Sequence, residues 1–239
     1  MKLLLTGMAS AVGLVLGMQP AFADSGVAAT TTTTSSSVST SVTTTTAAVP
    51  PDVVVKTNTD KLQKLINDNH VKYQADLPAF YKVVDEVIVP HFDVPFIARS
   101  VLGKNWRGAS EAQRQRFSEA FKNMLIRSYA NALLQYADSV KADFKPLRMT
   151  AGADDVTVNS SLLRDGKPPV AIGFSMHTAD SKWKIYDITV ENISLVTNFR
   201  GQFNSEIKKS DLESLIARME SGELSARKVT ATGAAGSGG

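Results

Sequence analysis

Apolar side chains recur every three or four positions from Asp60 to about Ala137, alternate with polar ones from Val140 to Val190, and return to the helical interval from Ile193 to Met219. A period near 3.6 marks a helix with one buried face, and a period of two marks a half-buried strand. The order predicts an α+β domain: N-terminal helices, a curved antiparallel sheet of about four strands, then C-terminal helices. Caps punctuate the helical half. Asp76-Leu77-Pro78 precedes one helix and Asp93-Val94-Pro95 the next. An N-cap carboxylate accepts from a free N–H of the first turn, where proline's missing donor is harmless. Gly103 suits the position just past the second of these helices. The longest helix opens with Ser110 and Gln113 as a capping box and sets Phe117, Phe121, Met124, Leu125, Tyr129 and Leu133 on one stripe. Ser210 and Glu213 read as a second capping box, opening the helix Leu212 to Met219.

The candidate strands are Val140 to Met149, Asp155 to Leu163, Pro169 to Thr178 and Lys182 to Val190, separated by the breakers "AGAD", "RDGKPP" and "ADS". Val170, Ile172, Phe174 and Met176 share one face of the third. Strict alternation in the fourth sends Trp183 and Ile185 to one side and Tyr186, Ile188 and Val190 to the other, as in a central strand covered on both faces. Such a sheet opposed by the aromatic stripe of the long helix either closes upon it or encloses an apolar cavity. Periodicity leaves both open.

Composition bounds the domain and its address. Lys2 precedes an apolar run from Leu3 to about Leu16, and Ala21-Phe22-Ala23 has the form of a signal-peptidase site. Residues 1–23 therefore read as a cleaved signal peptide, too short to anchor, and the expected compartment is the periplasm. Residues 24–56, a Ser/Thr/Ala tract closed by Pro50-Pro51, are expected to be a disordered leader, because such a composition buries too little apolar surface to offset chain entropy. The folded unit is placed at 57–224, with 225–239 a flexible tail.

The polar residues offer little chemistry. The chain has no cysteine, which removes disulfides, thiol nucleophiles and Cys-ligated metals. A net charge of +3 with interspersed signs gives no nucleic-acid footprint. His70, His91 and His177 fall on separate elements without a metal-ligand spacing. His91 and Asp93 lie two apart, but Asp93 is accounted for as a cap, and a charged His91 would suit the C-terminal dipole of the preceding helix. Asp187, the lone carboxylate in "WKIYDITV", is the one candidate for a general base in a small α+β cone enzyme. No phosphate-binding or nucleophile-elbow motif accompanies it.

Three longer words follow one another in order: "PHFDVPFIARSVLGKNWRGASEAQRQRFSEAFKNMLIRSYANALLQYAD", "GKPPVAIGFSMH" and "SKWKIYDITVENISLVTNFRGQFNSEI". Together they closely resemble the MlaC family of toluene-tolerance or organic-solvent-tolerance substrate-binding proteins, from about Lys61 to Met219. The resemblance implies a periplasmic phospholipid carrier that is not an enzyme and holds acyl chains between sheet and helices as cargo, with no cofactor and no metal. Its implied partners are phospholipid, an inner-membrane Mla ABC transporter complex and an outer-membrane lipoprotein-porin complex, with the carrier a monomer that maintains outer-membrane lipid asymmetry. Its implied lipid-binding residues are Phe92, Phe96, Ile97, Val101, Leu102, Trp106, Phe121, Leu125, Tyr129 and Leu133 on the helical side. On the sheet side they are Val170, Ile172, Phe174, Met176, Trp183, Tyr186, Ile188, Ile193 and Leu195. The family often has glycine where this chain has Asn192, a residue that tolerates the left-handed turn.

Overall fold

The computed structural model describes residues 49–136, 140–150, 152–164 and 166–225. The expected signal peptide and most of the expected leader and tail lie outside these residues. Seven helices and five strands succeed one another: α1 (Pro51–Ala75), α2 (Leu77–Val87), α3 (Val94–Leu102), α4 (Asn105–Gly108), α5 (Glu111–Tyr136), β1 (Val140–Phe144), β2 (Asp155–Arg164), β3 (Lys167–Ala179), β4 (Lys182–Val190), β5 (Ile193–Ser194), α6 (Leu195–Lys209) and α7 (Leu212–Glu220). The strands form one antiparallel meander in the order β1-β2-β3-β4-β5.

Most helix starts use the expected caps. Asp76 accepts from the Ala79 N–H at 3.1 Å and Asp93 from the Phe96 N–H at 3.0 Å. Ser110 and Gln113 exchange reciprocal bonds at 3.0 and 3.2 Å. The second box is shifted by one residue: Asp211, not Ser210, caps α7 by accepting from Ser214 at 2.7 Å. A carboxylate beside free N–H groups is the stronger acceptor, which explains the choice.

Residues 51–56, placed by composition in the leader, are helical. α1 begins at Pro51, whose ring suits a first helical turn. Val55 of that turn is buried against Val156, Val158, Met176, Trp183 and Ile185 of the sheet. At its other end α1 packs Ile66 and Tyr73 with Phe80 and Val84 of α2 and Ala130 and Leu134 of α5. One kinked helix, bent at Asn69, thus joins the sheet to the helical layer.

The sheet differs from expectation in three ways. Its first strand ends at Phe144, short of Met149, and a fifth two-residue strand pairs Ile193 with Val190 and Ser194 with Thr189. β4 is a central strand only over that short pairing: beyond it, its outer edge is met by Phe92, which bridges Ile185, and by the Asp93 N–H, which donates to the Ile185 carbonyl at 2.9 Å. The covering is thus the extended Phe92–Asp93 link before α3, and it protects an edge that would otherwise stand open. Finally, Met176 pairs with Ile185 and Ser175 with Asp187, leaving Tyr186 as the extra residue of a β-bulge. The bulge resets alternation, so Trp183, Ile185 and Ile188 join Phe174 and Met176 in one apolar cluster. Tyr186 faces away, toward His177.

Candidate functional site

The described apolar interior is divided into clusters. α3, α5, α6 and α7 bury Val101, Leu102, Phe117, Phe121, Met124, Phe199, Phe203, Leu215, Ile216 and Met219 among themselves. The sheet buries Val156, Val158, Met176, Trp183 and Ile185 with Val55 of α1. A third group lies among α1, α2 and α5. The elements that rest on strands are α1, α3, α6 and the short 3-10 turn Val89–His91. α5 packs on α1, α2, α3 and α7, and its Phe117 and Phe121 rings meet Phe199 and Phe203 of α6.

Half-buried apolar side chains flank each cluster. Ile97, Leu125, Tyr129, Leu195 and Val196 lie at the margin of the helical cluster, Ile126 and Ile88 at that of the third, and Phe92, Phe174 and Ile188 at that of the sheet.

The sequence-predicted lipid-binding residues separate accordingly. Phe92, Ile97, Leu125, Tyr129, Phe174, Ile188 and Leu195 are half-buried at the cluster margins, with Val170 and Ile172 further along the same face of β3 as Phe174. Val101, Leu102, Phe121, Met176 and Trp183 are sealed inside the clusters. Trp106 packs at the edge of the helical cluster under the Arg114 guanidinium, 5.2 Å from its ring centroid. Leu133 and Ile193 are exposed. Phe96 lies at none of these margins: its ring meets His177 and Tyr186 at centroid distances of 4.7 and 5.4 Å, on the opposite face of the sheet. Ile88, Ile126 and Val196 are margin residues that the sequence reading did not single out. Each is one more apolar position on a helix, and only the partner layer distinguishes it from core.

The polar groups are engaged in joining elements. Asp187, the candidate base, accepts from the Val196 N–H at 3.1 Å and from the Ser194 hydroxyl, and Ser194 in turn caps α6 through the Thr197 N–H at 3.0 Å. Its two oxygens therefore anchor the start of α6 to β4. Asp93 likewise has two tasks, capping α3 with one oxygen and meeting His177 Nε2 at 2.9 Å with the other. That contact crosses from β3 to α3 and could not be seen in sequence, where His177 looked solitary. His91 is disfavoured as a charged group at the helix end. Burial, followed by the nearby Lys184 and Lys61, holds its imidazole below the ordinary pKa. Lys184 itself donates to the Pro90 carbonyl and supplies the positive charge there. Burial, with a hydrogen bond to Asp155, raises the Tyr186 phenol above its ordinary value.

Among the described residues there is no cluster of three His, Cys, Asp or Glu side chains suited to a metal, and no helix long and apolar enough to cross a membrane. A groove of about 360 Å³ lies between α5 and α7, lined by Gln115, Arg116, Glu119, Ala120, Asn123, Arg127 and Glu220.

A family model described as MlaC protein matches residues 56–221, most of the described chain. This chain belongs to the MlaC family. Among its relatives, the toluene tolerance protein ttg2D of Pseudomonas putida is 30% identical over 174 residues, 69% of this chain and 77% of that protein. The intermembrane phospholipid transport system binding protein MlaC of Haemophilus influenzae is 22% identical over 171 residues, 70% of this chain and 79% of that protein. A solved structure of a phospholipid-binding protein from Ralstonia solanacearum, in complex with a phospholipid, superposes with a TM-score of 0.67 at 27% identity. The match covers 78% of this chain and 99% of the other. The MlaC fold of this chain is thus the α+β arrangement of a curved sheet and helices expected from the resemblance.

Proposed function

We propose that this chain is a periplasmic phospholipid carrier whose acyl-chain site is the seam between the sheet and α5, with Phe92, Ile97, Leu125, Tyr129, Phe174, Ile188 and Leu195 against the hydrocarbon. The observation that supports the reading is the division of the interior: two apolar layers keep separate cores, each with half-buried apolar side chains at its margin. The likeness to a protein solved with a phospholipid supports it, as does the transport role in the name of the Haemophilus relative.

The energetics suit a shuttle. Each methylene buried from water is worth about 0.8 kcal/mol, so two long acyl chains resist exposure by on the order of 20 kcal/mol. Passing from bilayer to an apolar protein site is nearly neutral, since hydrocarbon surrounds the chains at both ends. The carrier then acts as a monomer without an energy source of its own. Direction is set by its partners, an inner-membrane ABC transporter complex and an outer-membrane lipoprotein-porin complex, and the outcome is the upkeep of outer-membrane lipid asymmetry. Binding, not turnover, is its activity, in keeping with an Asp187 committed to the start of α6.

Native mass spectrometry of the full chain tests this. Protein from an exporting host is expected to carry phospholipid, and the double variant Leu125→Trp/Ile188→Trp, which fills the seam from both sides, is expected to fold and lose the added mass. A wild-type chain free of lipid, with those two positions closed in a dry core, would overturn the proposal.

A further inference from the structure

Several cations of α5 and α7 face carboxylates: Arg116 pairs with Glu213 and Glu220, Lys122 with Asp85 and Glu119, and Arg218 with Glu206 and Glu223. Around the C-terminal end of α3 the cations have no such partner. Residues 94–110 contain Arg99, Lys104 and Arg107 and no Asp or Glu, and the facing segment 192–205 contributes Arg200, again with no acid. All four are exposed, and none has a carboxylate partner among the described residues. Arg200 locks the group together, its Nε donating to the Ser100 carbonyl at 2.6 Å while its side chain lies 3.4 Å from where a Cβ on Gly103 would stand. Gly103 has a φ of 54°, which turns the chain so that Lys104 and α4 follow directly on the end of α3. A bond between Asn105 and Asn204 at 2.7 Å then pins α4 to α6.

Capping the α3 terminus accounts for Arg200 alone. Among the described residues the other three cations show no bond to a carbonyl, and with Arg200 they give this end of α3 and α4 a single sign of charge. Aromatic rings are interleaved with them: Trp106 between Lys104 and Arg107, and Phe96, 40% exposed, one helical turn before Arg99. Basic and aromatic side chains in one strip suit the headgroup region of a bilayer, where cations meet phosphate and rings sit at the boundary with hydrocarbon.

We propose that the strip Phe96, Arg99, Lys104, Trp106, Arg107 and Arg200 is a docking surface for an anionic phospholipid membrane. The proposal rests on the carrier reading, in that a lipid shuttle must approach a bilayer, but it concerns the outer face of α3 and α4 and not the acyl-chain seam. Docking by a few cations is weak and reversible, as a shuttle requires: each gains about fivefold in binding at an anionic surface and loses it within a Debye length of ~8 Å at physiological salt.

The test is co-sedimentation of the full, lipid-loaded chain with vesicles of phosphatidylethanolamine, with or without phosphatidylglycerol. Binding is expected only to the anionic vesicles and is expected to fall as salt rises. The triple variant Arg99→Gln/Lys104→Gln/Arg107→Gln, which spares the structural Arg200, is expected to bind on the order of 100-fold more weakly. Lys56→Gln/Lys64→Gln/Lys82→Gln, with the same loss of net charge on α1 and α2, is expected to bind as wild type. Failure of the wild-type chain to sediment with anionic vesicles, or equal binding by both triple variants, would overturn the proposal; the first result would favour an acidic protein partner instead. Native mass spectrometry of the same samples separates the two readings, because patch variants that keep their phospholipid leave the carrier function standing whatever the vesicles report.

Discussion

Asp187 shows how a side chain that looks catalytic becomes structural once its neighbours are known. A carboxylate amid apolar strand residues costs free energy unless its oxygens are satisfied, and here the Val196 N–H and the Ser194 hydroxyl satisfy them. Asp187→Ala is expected to lower stability by about 1–2 kcal/mol in urea denaturation, the usual loss for a capping group, while phospholipid content stays at the wild-type level. Asn192 illustrates the opposite case, a residue legible from sequence. It adopts a φ of 64° in the turn between β4 and β5, the left-handed conformation expected of an asparagine in place of glycine. The chemistry of Asn192 is local, so sequence discloses it. The tasks of Asp187 depend on Val196 of α6, so sequence leaves them open.

Elements fall under the same division. The helices and the meander were legible because period and caps are local properties, and Asp76, Asp93 and Ser110 stand where their hydrogen bonds require. The start of α1 was not legible, because Val53-Val54-Val55 follows a Ser/Thr tract and only burial of Val55 against Val156 and Val158 makes its first turn worth ordering. The Tyr186 bulge was hidden too, since an extra residue is defined by the partner strand. At this scale the contact of Asp93 with His177 joins α3 to β3 across the edge of β4. A double-mutant cycle with Asp93→Ala and His177→Ala is expected to give a coupling energy of about 1 kcal/mol in urea denaturation, since both groups are largely shielded from water. The single variant Asp93→Ala is expected to be the more destabilising, because it removes the α3 cap as well.

For the whole molecule the decisive property is that the interior is apolar without being one core. Helices α3, α5, α6 and α7 close on each other, the sheet closes on the first turn of α1, and apolar residues at the margins of both stay half-buried. As the proposed carrier, such a protein is completed by its cargo. Removing bound phospholipid by detergent exchange or organic extraction is expected to lower Tm reversibly, and returning lipid at 100 times its Kd to restore about 2.7 kcal/mol. A protein with a filled core would melt at the same temperature in both states. By itself the sequence determined the fold class, the starts of α2, α3 and α5, the aromatic stripe of α5 and the family, because periodicity, capping and motif order are written in neighbouring residues. Only the tertiary structure decided which apolar side chains are core, as with Phe121 and Met176, which stay half-buried, as with Leu125 and Phe174, and which face elsewhere, as with Phe96. Burial is a property of what lies opposite a side chain, and that is fixed by the bulge, the edge contact and the layers together.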